Sequence, residues 1–493
     1  MPKKSQSDIP EVFLSNEYPR QQIYALRKQG KIKKIASMLY TSNVDEDTDS
    51  IIHRNMWRIL ELLYPDAIIS ERTAVEMKVT SDGSLFVISD KKRSVTIGNL
   101  TIRPKKGAQP QPTDMPFMSK LYMASPARII LENAVPSRSK NGVSRGLSRK
   151  ELEIYIHNII TDKGEDAINK LRDEMRKLAP QIGLQNEFES VNKLISTLLR
   201  THDGKLESNV GTARSQGFPF DARRIELFAK LFSELEKTAP IIRSGKSSMI
   251  LSFFDAYFSN FIEGTKFTID EAEEIVFKNT IPVNRPEDAH DIKSTFDIIS
   301  NESEMKKIPR SFDDFMNLLM TRHEILMGGR PDKNPGQIKQ RSNQAGSVIF
   351  VKPELVSGTL KQGFEIYKKL TSPFSKAVFM MFLVAEVHPF DDGNGRIGRI
   401  MMNAELISAG EQRIIIPIIF HNNYIAALKA ISHNAITNPL VRTLDFAQKY
   451  TGMINWNNFE DALEDLTKTR AFLDSNEAED EGLRLVLPSK IIG

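Results

Sequence analysis

The tightest constraint on this chain is a junction at residue 388. The apolar run SPFSKAVFMMFLVAEV (372–387) stops at HPFDDGNGRIGR (388–399), and RIGRIMMNAELISAG (396–410) then resumes helical spacing of apolar residues. Pro389 disfavours helical backbone in the residue before it and so ends the first helix. The glycines that follow stand at the start of the second. Any fold for this chain must join two buried helices through a charged, glycine-rich loop.

That loop gathers one kind of chemistry. A helix start offers unpaired N–H groups and a positive dipole end to an anion. Gly393 and Gly395 allow close backbone approach. Arg396 and Arg399 lie three apart on one helix face and can clamp successive phosphates. Asp392 is a hard oxygen ligand suited to Mg²⁺ on phosphate oxygens. His388 can take a proton from an attacking hydroxyl near neutral pH, and Phe390 is expected to anchor the loop on the core. A base, a metal ligand, an anion cradle and two cations together point to phosphoryl or nucleotidyl transfer.

The remainder of the chain sets bounds. Its 493 residues exceed what one core serves, so two or three domains are expected. With no cysteine, disulfides, thiolate zinc sites and cysteine nucleophiles are excluded. A net charge of +4 gives no global case for nucleic acid. MPKKSQSDIPEVFL lacks the apolar core of a signal peptide, and AVFMMFLVAEV (377–387) is too short to span a bilayer. A cytoplasmic protein with no membrane partner is expected. His53, His157, His202, His290, His323, His421 and His433 form no pair at metal-ligand spacing and read as structural or surface residues.

Composition divides the chain into zones. Residues 1–110 read as a mixed α/β region: YPRQQIYALRKQG (18–30) as a helix, KIKKIASMLYT (31–41) as a short strand pair, SLFVIS and SVTIGNLTIRP as strands. KKGAQPQPTDMP (105–116) reads as a linker. Residues 111–225 are expected to be a helical middle zone, with RKELEIYIHNIITDKG and GEDAINKLRDEMRKLAPQIG each ending near glycine. Residues 226–475 read as helical almost throughout, interrupted by GGRPDKNPGQIKQRSNQAGSVIFVKPELV (328–356), and 476–493 as an acidic, solvated tail.

HPFDDGNGRIGR resembles the motif of the Fic family, His-Pro-Phe-x-(Asp/Glu)-Gly-Asn-Gly-Arg-x-x-Arg, at every defined position. The resemblance implies a mainly α fold with a β-hairpin flap. It implies transfer of AMP from ATP to a Ser, Thr or Tyr hydroxyl of a target protein, with pyrophosphate released. His388 would be the general base and Asp392 the Mg²⁺ ligand; Asp391, at a variable position, is the competing carboxylate. Gly393, Asn394 and Gly395 would form the anion hole, and Ile397 and Gly398, at the variable positions of the motif, are expected to be nucleotide-binding with them. Arg396 and Arg399 would bind the outer phosphates. QAGSVIFVKPELV resembles the flap, placing Gly346, Ser347, Val348 and Ile349 over the nucleotide, and RIIIPIIFHNNYIAAL resembles the segment that supplies an adenine-side tyrosine, here Tyr424.

SNFIEG (259–264) closes the helical pattern SSMILSFFDAYFSNFIE, with Gly264 as its stop. Glu263 then sits at the negative end of a helix, unfavourable by about 0.3 kcal/mol or more unless a cation meets it. The segment resembles the Ser/Thr-x-x-x-Glu-Gly helix of one Fic class, formed here by Ser259, Glu263 and Gly264. The resemblance implies that Glu263 pairs with Arg399, obstructs the γ-phosphate site and holds the enzyme off; removal of AMP by the same site, self-modification and homo-oligomerisation stay open.

Between residues 18 and 44, Arg20, Arg27, Lys28, Lys31, Lys33 and Lys34 stand with no acid among them. With a second basic cluster at 91–106, this suits a winged helix that meets phosphates, and loosely resembles the N-terminus of abortive-infection type IV antitoxins. Two alternatives therefore remain: a DNA-binding regulator with DNA held by residues 1–110, and a Fic enzyme that moves UMP, phosphocholine or phosphate.

Overall fold

The computed structural model describes residues 9–138, 143–238, 242–245, 247–346 and 348–488. The chain divides into two compact units, residues 1–216 and 217–493.

The first unit is mixed α/β. Strands β1 (Val12–Leu14), β2 (Lys33–Ala36) and β3 (Leu39–Thr41) form an antiparallel sheet in the order β1-β3-β2, with helix α1 (Arg20–Lys28) between β1 and β2 in the chain. A six-stranded sheet follows. It contains β4 (Ile68–Ile69), β5 (Ser84–Ile88), β6 (Val95–Ile97), β7 (Leu100–Lys105), β8 (Met115–Phe117) and β9 (Leu121–Met123), in the order β6-β7-β5-β4-β9-β8. Strand β5, SLFVI, is buried at every position and lies inside the sheet, as a strand covered on both faces must.

The segment expected as a linker is part of this sheet. Residues 105–116 run from the end of β7 to β8, and β8 pairs with β9. The reason is a buried guanidinium. Arg128, 0% exposed, pairs with Asp114 at 2.6 Å and donates to the carbonyls of Ala108 (2.7 Å) and Gln109 (3.2 Å). A proline- and glutamine-rich loop becomes ordered because a buried cation must be satisfied. Among the described residues of this unit the longest helices are α2 (Arg149–Lys163), α3 (Glu165–Ile182) and α4 (Gln185–Leu198), and shorter ones join the sheets. Ser148 and Glu151 form a capping box at the start of α2.

The second unit is mainly helical. Its elements around the candidate site are α5 (Ala222–Lys237), α6 (Met249–Ile262), α7 (Pro286–Ser300), α8 (Phe312–Met327), the hairpin β10 (Gln344–Ala345) and β11 (Val348–Ile349), α9 (Pro353–Tyr367), α10 (Pro373–Val387), α11 (Asn394–Ser408) and α12 (His421–Asn434). Helix α10 carries the apolar run and is buried on nearly every face, so it forms the axis of the core. The acidic end departs from the expected solvated tail. Ser475–Asp480 is a short helix, Ala478 is buried, and Leu485 and Leu487 rest on the core. Spaced apolar residues among the acids give the segment a face to bury. Among the described residues, no helix is long and apolar enough to cross a membrane.

Candidate active site

His388 caps α10 in the left-handed region, at φ 54°, while its N–H still donates to the Val384 carbonyl at 2.9 Å. The chain therefore leaves the helix at this residue. Ala385 O lies 3.3 Å from the ring Nδ1. A carbonyl can only accept, so Nδ1 carries the proton and Nε2 keeps its lone pair. Phe350, just past β11, stacks on the imidazole at 3.7 Å with 6° between the planes. Burial pushes this imidazole down to about 4, so it is neutral at neutral pH.

The loop after it is braced from several directions. Asn394 is buried, and its side chain accepts from the Phe390 N–H and donates to the Phe390 carbonyl, both at 2.9 Å. The Phe390 ring stacks on His323 at 3.6 Å. His323 Nδ1 accepts the Gly336 N–H at 2.9 Å, so its Nε2–H donates to Asp392 O at 3.0 Å. The Lys339 N–H donates to Pro389 O at 2.9 Å. Its ammonium donates to Asn343 Oδ1 at 2.6 Å, and Asn343 Nδ2 donates to Phe390 O at 3.0 Å.

The two carboxylates are treated differently. Asp391 is exposed and accepts from Asn334 Nδ2 at 2.8 Å, tying it to a neighbouring loop. Asp392 Oδ1 accepts the Gly393 N–H at 2.7 Å, which turns its carboxylate toward the helix start. Among the described residues, no group of three or more acidic or histidine side chains converges to hold a metal by itself. A lone carboxylate beside an anion seat fits Mg²⁺, which completes its shell with substrate phosphates and water.

Gly393, at φ 74°, is the N-cap of α11, and no side chain caps the helix. Glu263 fills the space over the helix start instead: a Cβ on Gly395 would lie 2.0 Å from Glu263 Oε1. Arg399 is buried and joins α11 to the end of α6. Its Nε donates to Ser259 Oγ at 2.9 Å, and its Nη2 reaches Ser259 O and Glu263 Oε1, each at 2.8 Å. Gly264 follows at φ 93°.

Other candidates lie elsewhere. Arg396 pairs with Asp291 at 2.7 Å, and Arg330 meets the same carboxylate at 2.9 Å. Its charge is therefore engaged in a buried network rather than beside Arg399. Ile397 is wholly buried in the core, and Gly398 faces α10, where an added Cβ would stand 3.5 Å from Met381 O. Helical periodicity puts 395 and 399 on one face and turns 397 and 398 away. In the hairpin, Ala345 pairs with Val348 around Gly346 (φ 59°); Ser347 lies outside the described residues. Ile349 is 63% exposed. Tyr424 is buried, beside Arg399, with its hydroxyl 3.3 Å from Met381 Sδ.

One cavity of about 230 Å³ collects these elements. His388, Gly395, Arg399, Glu263 and Tyr424 line it, together with Val348 and Phe350 from the hairpin side. Sequence reasoning missed Phe350 and Lys339, and placed His323 only as structural or surface. Each acts through a partner distant in the chain, and none carried a local pattern.

Residues 315–406 match the family model described as Fic/DOC family. A Fido domain-containing protein of Dictyostelium discoideum is 39% identical over 80 residues, covering 15% of this chain and 56% of that protein. The protein adenylyltransferase Fic of Drosophila erecta is 26% identical over 272 residues, 52% of each chain. The chain thus spans about half the length of the curated relatives it matches. A solved Fic domain containing signaling protein from Bacteroides thetaiotaomicron aligns with a TM-score of 0.37 at 19% identity, over 49% of this chain and 97% of that one. The chain is a Fic domain protein, its segment 315–406 matching the Fic/DOC family.

Proposed function

We propose that this chain is a protein adenylyltransferase that moves AMP from ATP to a protein hydroxyl and is held off by Glu263. The observation that carries the reading is one cavity lined by a neutral imidazole, an uncapped helix start and a buried guanidinium that a carboxylate occupies. The relatives named protein adenylyltransferase support the same chemistry.

In this reading the triphosphate takes the place over Gly395 now filled by Glu263, its oxygens meeting the first N–H groups of α11 and Arg399. Asp392 would hold Mg²⁺, which neutralises phosphate charge when bound. His388 Nε2 accepts the proton of the target hydroxyl, whose oxygen bonds to the α-phosphorus. The bond from that phosphorus to the bridging oxygen breaks, and pyrophosphate leaves. Phe350 and the Ala385 carbonyl keep the imidazole in place and in the right tautomer. Glu263 opposes this because its charge lies where phosphate charge must come and because it engages Arg399.

Intact-mass spectrometry with ATP and magnesium tests the reading. Glu263→Gly is expected to gain AMP on itself, wild type far less, and Glu263→Gly with His388→Ala none. Equal labelling of wild type and Glu263→Gly overturns the inhibitory role, and a different added mass overturns AMP as the group moved.

A second reading concerns residues 1–110. Arg20, Arg27, Lys28, Lys31 and Lys34 are all exposed around α1, which suits contact with phosphates of DNA. A gel shift that weakens steeply with salt supports it; no shift at low salt removes it.

A further inference from the structure

The base of the hairpin holds three consecutive residues of the loop after α10. Gln344 pairs with Ile349 and Ala345 with Val348, which puts Asn343 opposite Phe350, and the Phe350 N–H donates to Asn343 O at 3.2 Å. Residues opposite one another across an antiparallel pair turn their side chains to the same face. Here those two side chains meet the two ends of 388–390. Phe350 stacks on the His388 ring, and Asn343 Nδ2 donates to Phe390 O at 3.0 Å. Between them Pro389 O accepts the Lys339 N–H at 2.9 Å.

The strands themselves cannot supply this hold. Each has two residues, and an isolated two-stranded hairpin is marginal in water. Strand β11 is tied through the Ile349 carbonyl, which accepts from Arg224 Nη2 at 2.7 Å. On the β10 side the tie is the Asn343 amide. Its orientation is set by Lys339, whose Nζ lies 2.6 Å from Asn343 Oδ1. An ammonium only donates, so the amide oxygen faces Lys339 and the amide nitrogen faces Phe390 O. Lys339 is 2% exposed, so a buried charge rather than solvent fixes the amide.

We propose that Asn343 is a positioning residue for the transfer step: its amide fastens the hairpin to Phe390 O and so keeps Phe350 on the His388 imidazole that takes the target's proton. The proposal rests on the adenylyltransferase reading and adds the contact that keeps its base aligned. Asn343 is not among the residues that line the cavity, so its loss acts on kcat and spares the binding of ATP.

Two substitutions separate this role from the needs of Lys339. Asn343→Ala removes both side-chain contacts. Asn343→Asp keeps an acceptor for the ammonium, strengthened by charge, and loses the donor to Phe390 O. In the Glu263→Gly background at pH 7, self-labelling by both variants is expected to show kcat lower by about ten- to a hundredfold, with KM for ATP within about threefold. Thermal melts check that both are folded. NMR follows the His388 ring independently of transfer, and Asn343→Ala is expected to raise its titration by at least about one unit as Phe350 lifts away. If transfer occurs and folded Asn343→Asp keeps the parent kcat, Asn343 serves only to satisfy Lys339 and the positioning role falls alone. If no transfer occurs but Asn343→Ala raises the titration, the hold on His388 stands and the adenylyltransferase reading falls. A titration unmoved in folded Asn343→Ala overturns the role whatever the labelling shows.

Discussion

His323 shows how much a single buried side chain can organise. Its Nδ1 accepts from Gly336 and its Nε2–H donates to Asp392 O, so only the neutral ring satisfies both contacts. Burial pushes it down to about 4, from about 6.5 in an unfolded chain. Between those values the unfolded state binds the extra proton, so the stabilisation is full above pH 6.5 and is lost as pH falls toward 4. The shift corresponds to about 3 kcal/mol. His323→Gln can make both hydrogen bonds and cannot titrate. Its stability deficit relative to wild type, measured by urea unfolding, should therefore narrow by about that amount between roughly pH 7 and pH 4; parallel curves would sink the assignment. From the sequence this histidine read only as structural or surface. The residues of 388–399 announced themselves because several chemical types share one short stretch. His323 and Phe350 gain their roles from partners that only the fold supplies, and periodicity cannot see those.

Two elements close on the cavity, and each can be loosened separately. The end of α6 is held by Arg399, which meets the Ser259 carbonyl, the Ser259 hydroxyl and Glu263 together. A cation at a helix C-terminus is favourable in itself, so Arg399 answers both the helix dipole and Glu263. Ser259→Ala removes one charge-assisted hydrogen bond, about 1.5 kcal/mol, without touching Glu263. Self-labelling of that variant should fall between wild type and Glu263→Gly; labelling no higher than wild type would show that the hydroxyl does not hold the inhibited state. On the other side, the hairpin places Phe350 on the His388 ring. Phe350→Ala admits water to a ring whose low value comes first from desolvation. The His388 resonance should then titrate at least about one unit higher by NMR, while an unchanged titration would mean that other walls keep it dry. Helices with strong apolar spacing and clear caps were legible in the residues themselves. The 105–116 loop and the acidic end were not, because composition marks polarity and misses the buried Arg128 and the apolar face around Ala478 that order them.

At the scale of the molecule, each unit has a core of its own. The large cluster of the second unit runs from Leu227 to Ala471 and contains α10 and the helix start of α11. The first unit has separate clusters, one around β5 and β7 and another among the middle helices. Every residue of the candidate cavity comes from the second unit, including Glu263, whose helix precedes the segment matched by the family model. A core of that size meets the requirement for independent folding, and chains with separate cores seldom unfold in one step. Residues 217–493 expressed alone should therefore melt cooperatively, and their transition should coincide with one of two transitions in the calorimetric trace of the full chain. They should also keep the effect of Glu263→Gly on self-labelling, since both partners of the Arg399 contact are retained. A fragment that melts without cooperativity, or loses the contrast between the two forms, would show that the first unit is needed to build the site.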